Sequence, residues 1–350
     1  MEKILVAMSG GVDSATAAVI LKEKGYNIEG AIMVFEGISC EAVGYARSTA
    51  QHLNIPFYVF DFTKEFQNKI INNFIKEYKN GRTPNPCVLC NKHIKFDLFM
   101  KKAKKLGINK IATGHYARIE KQNGCYLLKK GIDKNEQSYF LYRLNQKQLS
   151  KTVLPLGSYT KQKVRKLARK LNLPNANRKK SQDVCFIPDD KHTSFFKIFF
   201  HSVPGPIMNK NGKVIGEHKG IFSYTYGQRR GIGISHKQPY YIIKIDAQNN
   251  AVYVGEKKDV YKSQLIAGDL NFIPFDKLYK KSEVMARPRY VSPLSRATVE
   301  PLKDNKVKVI FRKPQWALTP GQSVVFYQKD VVLGGGIIEE LGSDIEIYDC

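Results

Sequence analysis

Between residues 1 and about 120, short apolar runs alternate with amphipathic stretches: "KILVAM", "DSATAAVILKEKG", "NIEGAIMVF", "ARSTAQHLNI", "PFYVFDF", "EFQNKIINNFIKEYKNG", "DLFMKKAKKLGI" and "KIATGHYA". The compact apolar runs read as buried strands and the stretches between them carry apolar residues at helical spacing. Strand and helix in alternation predict an α/β fold, a Rossmann-like parallel sheet with helices on both faces. Ligands of such a sheet bind outside the carboxyl ends of its strands.

Past residue 120 the rhythm changes. A hairpin is predicted around "NGCYLLKKG", followed by "SYTKQKVRKLARKLNLPNANRKKSQDVCFI". There, Val164, Leu167, Ala168 and Leu171 have helical spacing and Lys or Arg fills the polar positions, so Lys161 to Leu171 is predicted as a basic helix. After "VPGPI" come short β-like runs separated by Gly, Asn and Pro, which predict two small mainly-β domains with a seam near 262–270. The expected organisation is an α/β domain over 1–195 with a basic helical segment near 140–180, a central β-rich domain over 196–265 and a C-terminal β-barrel over 266–350.

The 350 residues hold 57 Lys and Arg against 31 Asp and Glu, a formal net charge of +26. A polyanion is the expected partner, because each phosphate neutralised by a cation releases condensed counterions. The competing reading is a Lys-rich composition with no such role. The N-terminal apolar stretch is too short for a signal sequence and no later run approaches membrane-spanning length, so a cytoplasmic protein without a membrane partner is expected. In that compartment the six cysteines, Cys40, Cys87, Cys90, Cys125, Cys185 and Cys350, point to catalysis, metal binding or no role rather than to a disulfide framework.

"AMSGGVDSA", Ala7 to Ala15, follows the first predicted strand and opens a helix. Ser9, Gly10, Gly11 and Ser14 permit a tight turn that aims N–H groups at an anion, and a helix N-terminus adds its positive dipole end. The stretch lacks both the P-loop pattern and the dinucleotide fingerprint. It resembles the S-G-G-x-D-S signature of the PP-loop ATP pyrophosphatases, which cleave ATP between its α and β phosphates and adenylate a substrate oxygen. That resemblance makes Ala7, Met8, Ser9, Gly10, Gly11, Val12, Asp13 and Ser14 candidates for ATP binding. Asp13 suits Mg²⁺ at the pyrophosphate, since that ion takes one carboxylate plus phosphate oxygens. Its plainer role is a carboxylate favoured by the helix dipole. Met33, after the second predicted strand, lies where such folds lodge the adenine; by itself it would be a core methionine.

"TPNPCVLCNKHIKF" carries Cys87 and Cys90 in a C-x-x-C, and "KKSQDVCFIPDD" carries Cys185. No second C-x-x-C or Cys/His pair completes a zinc site. A redox pair at a helix start fits in part, and Cys90 with Lys92, His93 and Lys95 following is expected to have a lowered thiol pKa.

Together "SGGVDS", "GRTPNPCVLCNKHIKFD", "ATGHYARI", "NEQSYFLYRL", "PLGSYTKQKVRKLA", "SQDVCFIPD", "HKGIFSYTYGQRRGIGI" and "TPGQSVVFY" resemble, in order and over nearly the whole chain, the bacterial tRNA-specific 2-thiouridylase family. The resemblance implies ATP-dependent sulfur transfer to C2 of the wobble uridine, position 34, of tRNAs for Lys, Glu and Gln, after adenylation of its O2. It implies Cys185 as the persulfide carrier and Cys90 as the nucleophile that frees the sulfur or forms a disulfide with the spent thiol. A cysteine desulfurase or a relay protein would supply the sulfur. Asn85, Pro86 and Cys87 would border the flipped base, His115 would approach the same pocket and Gly114 would lie beside ATP. Asn135, Glu136, Gln137, Arg289, Tyr290 and Gln322 would contact tRNA, and Lys161, Lys163, Lys166 and Lys170 would follow its phosphates.

Two features depart from the family pattern. Cys87 stands where many members have Asp, so it is either a tolerated variant or, with Cys90 and Cys185, part of a three-thiolate iron-sulfur site. The segment "FEGISCEAVGYARSTA" is shorter than usual. The rival readings are another PP-loop ATP-dependent enzyme and a tRNA-binding paralogue without full chemistry.

Overall fold

The computed structural model describes residues 2–178, 184–187, 199 and 202–342. Strand β1 (Lys3–Ala7), helix α1 (Val12–Glu23), β2 (Asn27–Val34), α2 (Cys40–His52) and β3 (Phe57–Asp61) follow the expected alternation. Helices α3 (Thr63–Phe66) and α4 (Asn72–Lys79) are joined by a π-helical turn, Gln67–Ile71. Helix α5 (Pro86–Cys90) runs through a second π-helical stretch, Asn91–Leu98, into α6 (Phe99–Lys105). Strand β4 (Lys110–Ala112), the hairpin of β5 (Ala117–Gln122) and β6 (Cys125–Lys130), α7 (Gln146–Ser150), β7 (Thr152–Val153) and α8 (Lys161–Lys170) follow.

Strands β3-β2-β1-β4-β7, in that order, form a parallel sheet. Val6 of β1 lies opposite Gly30 of β2 on one side and Ala112 of β4 on the other. Chain order reverses at β1, so the binding crevice opens between the carboxyl ends of β1 and β4. Alternate residues of β1 serve two cores, as the period of a strand requires. Ile4 and Val6 pack with Ala15, Ala18 and Val19 of α1, Ala46 of α2 and Val164 of α8. Leu5 and Ala7 join the opposite cluster, which contains Phe66, Phe74, Val88, Ile94 and Phe99 from α3 through α6.

Strands β8 (Gly205–Asn209), β9 (Val214–His218), β10 (Tyr241–Asp246) and β11 (Ala251–Gly255) form a separate sheet, ordered β10-β11-β8-β9, around Ile207, Ile242, Val252 and Val254. The last unit is β12 (Tyr261–Phe272), β13 (Ser282–Arg287), β14 (Ser295–Pro301), β15 (Val307–Trp316), β16 (Ser323–Gln328) and β17 (Val331–Leu341). The order β12-β15-β14-β13-β16-β17 closes through β12–β17 pairing into a barrel, which leaves none of these strands with a bare edge along the closure.

Two boundaries change. The expected cut at 265/266 falls inside β12, whose Leu265 and Ala267 both face the barrel core, so the barrel begins at Tyr261. The hairpin forms where expected, with Asn123 at φ 49° and Gly124 at φ 78°, the backbone of a two-residue hairpin turn. It serves the barrel, though: Lys129 of β6 pairs with Val331 of β17, and the Lys130 N–H donates to the Asp330 carbonyl at 2.8 Å. The cut at 195/196 and Cys350 lie outside the described residues. Among the described residues no helix is long and apolar enough to cross a membrane.

Candidate active site

The chain leaves β1 through buried Ala7 and Met8 and turns at Ser9, Gly10 and Gly11. Gly10 has φ +73°, and a Cβ there would lie 2.3 Å from the Ala42 carbonyl oxygen, so only glycine fits. Ser14 braces the turn from inside: its Oγ accepts the Ser9 N–H at 3.1 Å and donates to the Gly11 carbonyl at 3.0 Å. Helix α1 starts at Val12 behind Gly11, and no side chain caps its first turn. Uncapped donors at a positive dipole end are the arrangement that holds phosphate. Gly114, in the loop after β4, lies against this turn: a Cβ would come 2.9 Å from the Asp13 carbonyl carbon and the Ser14 nitrogen. The loops after β1 and β4 therefore meet at the switch point. Met33, near the end of β2, is half-buried beside the α3–α6 core.

The Asp13 carboxylate accepts the Tyr116 hydroxyl at 2.7 Å and the Lys161 ammonium at 2.6 and 2.5 Å on its two oxygens. Lys161, expected to follow tRNA phosphates, is held here at the phosphate loop. Val164 and Ala168 bury one face of α8 in the core that α1 shares, which carries the first residue of α8 to the phosphate loop. Lys163, Lys166 and Lys170 remain on the exposed face. Asn175 Nδ2 and Arg178 Nη1 each donate to the Gly10 carbonyl at 3.1 Å. The basic segment thus contributes to the loop as well as to the surface. One carboxylate beside a vacant-capped helix suits Mg²⁺ held partly by phosphates, so the residues present fit that ion.

The cysteines expected to handle sulfur lie along α5 and in the chain that crosses near it. Pro86 occupies the first turn of α5, where its missing N–H costs no hydrogen bond, and Asn85 precedes it. Cys87 is half-buried, and Cys90 is buried among Val88, Ile94 and Phe96. Cys90 ends α5 instead of starting it, so no dipole end faces its sulfur. Burial pushes its thiol up to about 12, Lys95 pulls the other way, and Cys185 and Cys87 push further up. The expected lowering of the Cys90 pKa is thus reversed by desolvation. Lys95 lies five residues on, in the π-helical stretch Asn91–Leu98 that follows α5.

Cys185 has solvent-accessible surface, yet neighbouring atoms crowd its thiol enough to push it up to about 11, with Cys87 raising and Lys95 lowering it. Its position is set by its neighbours. The Phe186 ring meets Phe66 at 5.7 Å and Phe74 at 5.3 Å, both edge to face. Gly37, at φ +87° in the turn after β2, abuts it so closely that a Cβ would lie 2.2 Å from the Cys185 carbonyl oxygen. The short 36–50 segment therefore supports Cys185 directly. Among the described residues no three His, Cys, Asp or Glu side chains form a group able to hold a metal ion. As placed here the three cysteines make no such group, so they do not fit an iron-sulfur cluster.

The barrel clamps the loop before α5. The Thr83 N–H donates to the Pro320 carbonyl at 2.9 Å, and Gln322 Nε2 donates to the Thr83 and Pro84 carbonyls at 2.8 and 3.2 Å. Gln322, expected as a tRNA contact, here holds the protein's own loop. His115 is half-buried with Nδ1 2.8 Å from Thr113 Oγ1, and burial with Lys95 nearby pushes its pKa down to about 3, so the ring is neutral.

The "NEQ" residues separate. Asn135 is exposed, its side chain bonded to Asp133 at 2.8 Å. Glu136 is buried, accepting Ser138 Oγ at 2.6 Å and paired with Arg287 Nη1 of β13 at 2.9 Å. Gln137 Oε1 accepts the Tyr116 N–H at 3.1 Å. Arg289 Nη2 donates to Thr319 Oγ1 and, at 3.4 Å, to the Tyr226 carbonyl, and Tyr290 packs on Phe140 with ring centroids 4.5 Å apart. Glu136 and Gln137 are turned inward because they lie where the α/β unit meets the barrel and the Tyr116 loop; nothing in their local sequence signals this. Lys161 and Tyr116 carried no signal of their role either.

Residues 2–189 match the family described as the tRNA methyl transferase HUP domain, 193–256 its PRC-barrel domain, and 262–338 the aminomethyltransferase beta-barrel domain. A tRNA-specific 2-thiouridylase MnmA of Halothermothrix orenii is 49% identical, the match covering 97% of this chain and 99% of that protein. One from Clostridium botulinum is 47% identical over 97% and 98%, and one from Clostridium acetobutylicum 46% over 97% and 99%.

Proposed function

Because the chain belongs to the tRNA-specific 2-thiouridylase family, and is thus a PP-loop tRNA-uridine 2-sulfurtransferase, we propose that it thiolates C2 of the wobble uridine of tRNAs for Lys, Glu and Gln in the cytoplasm. The observation that carries this reading is one of topology. The phosphate loop follows β1, and the turn that supports Cys185 follows β2, the adjacent parallel strand. Nucleotide and sulfur carrier thus share the carboxyl end of one sheet.

In this reading the α1 N-terminus and the Ser9–Ser14 turn bind the pyrophosphate of ATP, with Gly114 admitting the close approach and Met33 beside the base. Mg²⁺ at Asp13 would neutralise phosphate charge. The uridine O2 attacks the α-phosphorus and pyrophosphate leaves, which turns a poor leaving oxygen into AMP. The wobble base must leave its stack to reach this site, and Asn85–Cys87, just after the Thr83–Pro84 stretch that Gln322 holds, receives it beside neutral His115. The terminal sulfur of a Cys185 persulfide attacks C2 and AMP departs. The Cys90 thiolate then attacks Cys185 Sγ, the S–S bond breaks, sulfur stays on C2, and the Cys90–Cys185 disulfide is reduced by an external dithiol. A cysteine desulfurase or relay protein recharges Cys185.

The test is mass detection of 2-thiouridine in tRNA incubated with ATP, Mg²⁺ and a persulfide donor, using iron-free protein. Cys185→Ser is expected to release pyrophosphate and accumulate adenylated tRNA without thiolating. Retained tRNA binding with neither product would instead identify an impaired paralogue, and AMP release only with a small-molecule acceptor would identify another PP-loop enzyme.

A further inference from the structure

The Gly10 carbonyl accepts two hydrogen bonds from side chains far along the sequence. Asn175 Nδ2 and Arg178 Nη1 each donate to it at 3.1 Å. The Gly10–Gly11 peptide is trans, so its carbonyl and its N–H point in opposite directions. Two donors on the Gly10 oxygen therefore fix the Gly11 N–H facing the other way. That N–H has no hydrogen-bond partner among the described residues, and it lies directly before the uncapped first turn of α1. The two donors differ in kind. Asn175 is neutral and 1% exposed. Arg178 carries a charge and is steadied by α2: its guanidinium lies 5.1 Å from the centroid of the Tyr45 ring, and its Nη2 is 3.7 Å from Glu41 Oε2. Its backbone N–H closes a turn on the Asn175 carbonyl at 3.0 Å, just after Leu173, which is buried in the core that α1 and α8 share.

We propose that Arg178 is a positioning residue for the nucleotide: through the Gly10 carbonyl it orients and polarises the Gly11 N–H that receives a phosphate oxygen of ATP. It acts through the peptide and does not touch the nucleotide. A cation on the carbonyl side draws electron density toward the oxygen, which makes the N–H on the far side a stronger donor to an anion. From behind the peptide the charge adds attraction for phosphate without occupying the ground that phosphates and Mg²⁺ need. Glu41, at 3.7 Å and 66% exposed, is well solvated and offsets little of it. This inference rests on the ATP reading above and adds to it a residue 168 positions from the turn it serves.

The experiment compares full-length wild type, Arg178→Met, Arg178→Gln and Arg178→Lys. Equilibrium binding of α,β-methylene-ATP with Mg²⁺ gives the affinity, and single-turnover pyrophosphate release from ATP and tRNA gives the apparent KM for ATP and the saturating rate. Arg178→Met keeps the apolar stem on Tyr45 and removes the donor and the charge. The net worth of one hydrogen bond sets the scale at about three- to tenfold. Arg178→Met should weaken α,β-methylene-ATP binding and raise KM by that factor while leaving the saturating rate unchanged, because the Gly11 N–H holds phosphate equally before and during reaction. Arg178→Lys, which keeps the charge, should recover most of the loss. Arg178→Gln, a neutral donor, should show a smaller loss of the same sign and serves if Arg178→Met does not fold. In protein labelled with ¹⁵N-glycine, the Gly11 amide proton of Arg178→Met should move upfield before any nucleotide is added, since a less polarised N–H is less deshielded.

Unchanged nucleotide affinity in a folded neutral variant overturns the proposal, with thermal unfolding as the folding check. A loss that Arg178→Lys does not restore, with the Gly11 amide proton unmoved, shows that the side chain only holds α2 and overturns it equally. If Arg178→Met weakens tRNA binding, lowers its salt dependence by about one phosphate and leaves nucleotide affinity alone, Arg178 is a tRNA contact and the proposal is wrong. Failure of wild type to bind α,β-methylene-ATP at any Mg²⁺ concentration sinks the underlying ATP reading instead.

Discussion

Phe186 is expected to decide whether sulfur transfer occurs at all, because it is the apolar weight next to an exposed reactive residue. It is 5% exposed and its ring packs edge to face on Phe66 and Phe74. Truncating a buried Phe to Ala costs about 3–5 kcal/mol, of which each aromatic pair supplies roughly 0.5–1.5 kcal/mol beyond burial. Phe66 and Phe74 also belong to the core formed by Phe62, Ile70, Val88 and Phe99, so they stay packed without Phe186. The loss then falls on docking of the Cys185 segment, as expected for a locally opening element. At 1.4 kcal/mol per tenfold, a cost of about 3 kcal/mol lowers the docked population roughly a hundredfold. Phe186→Ala should therefore adenylate tRNA, read as single-turnover pyrophosphate release, at close to the wild-type rate while thiolating roughly a hundredfold more slowly. Its Cys90–Cys185 disulfide, formed with diamide and quantified by mass spectrometry, should appear correspondingly late, and Phe186→Leu should recover most of the rate. Thiolation by Phe186→Ala at the wild-type rate would refute the docking argument. Equal loss of pyrophosphate release and thiolation would show that the ring supports the whole domain and not the Cys185 segment alone.

Glu136→Ala should destabilise the chain by about 3–5 kcal/mol in urea unfolding, because it strands Arg287, whose guanidinium is mostly buried and whose Nε has no hydrogen-bond partner among the described residues. A change below about 0.5 kcal/mol, the usual range for a surface residue, would mean the pair does not join the α/β unit to the barrel. The thiols carry a pH signature. Folding keeps Cys90 and Cys185 protonated past the ordinary value of 9.0, up to about 12 and about 11. The stability this reflects is fully present below about pH 9, where unfolded thiols are also protonated, and is lost as pH rises toward 11–12. Iodoacetamide labelling of the tRNA-free protein should accordingly show Cys185 reacting with a midpoint well above 9; a midpoint at or below about 8.5 would contradict the desolvation argument.

The order of elements in the α/β unit was legible because its signal is local. "KILVA" and "NIEGAIMV" read as strands buried on both faces, and Gly10 with Gly11 marked the turn into α1 before any partner was known. The same holds for the hairpin turn at Asn123 and Gly124. Cys90 shows where local reading fails: helix position and nearby lysines argued for a lowered pKa, and burial in the core reversed the sign.

What the sequence by itself determined is the strand–helix alternation and the glycine turn into α1, since each depends on residues within a few positions of one another. What only the tertiary structure decided is who faces whom. Lys161 lies 148 residues from Asp13, Arg287 151 residues from Glu136 and Gln322 239 residues from Thr83. A charge or an amide carries no mark of its eventual partner. Which lysine meets the phosphate loop, and which of the expected RNA contacts turn inward, follows from how α8 and the barrel pack on the sheet, and that packing is a property of the whole chain.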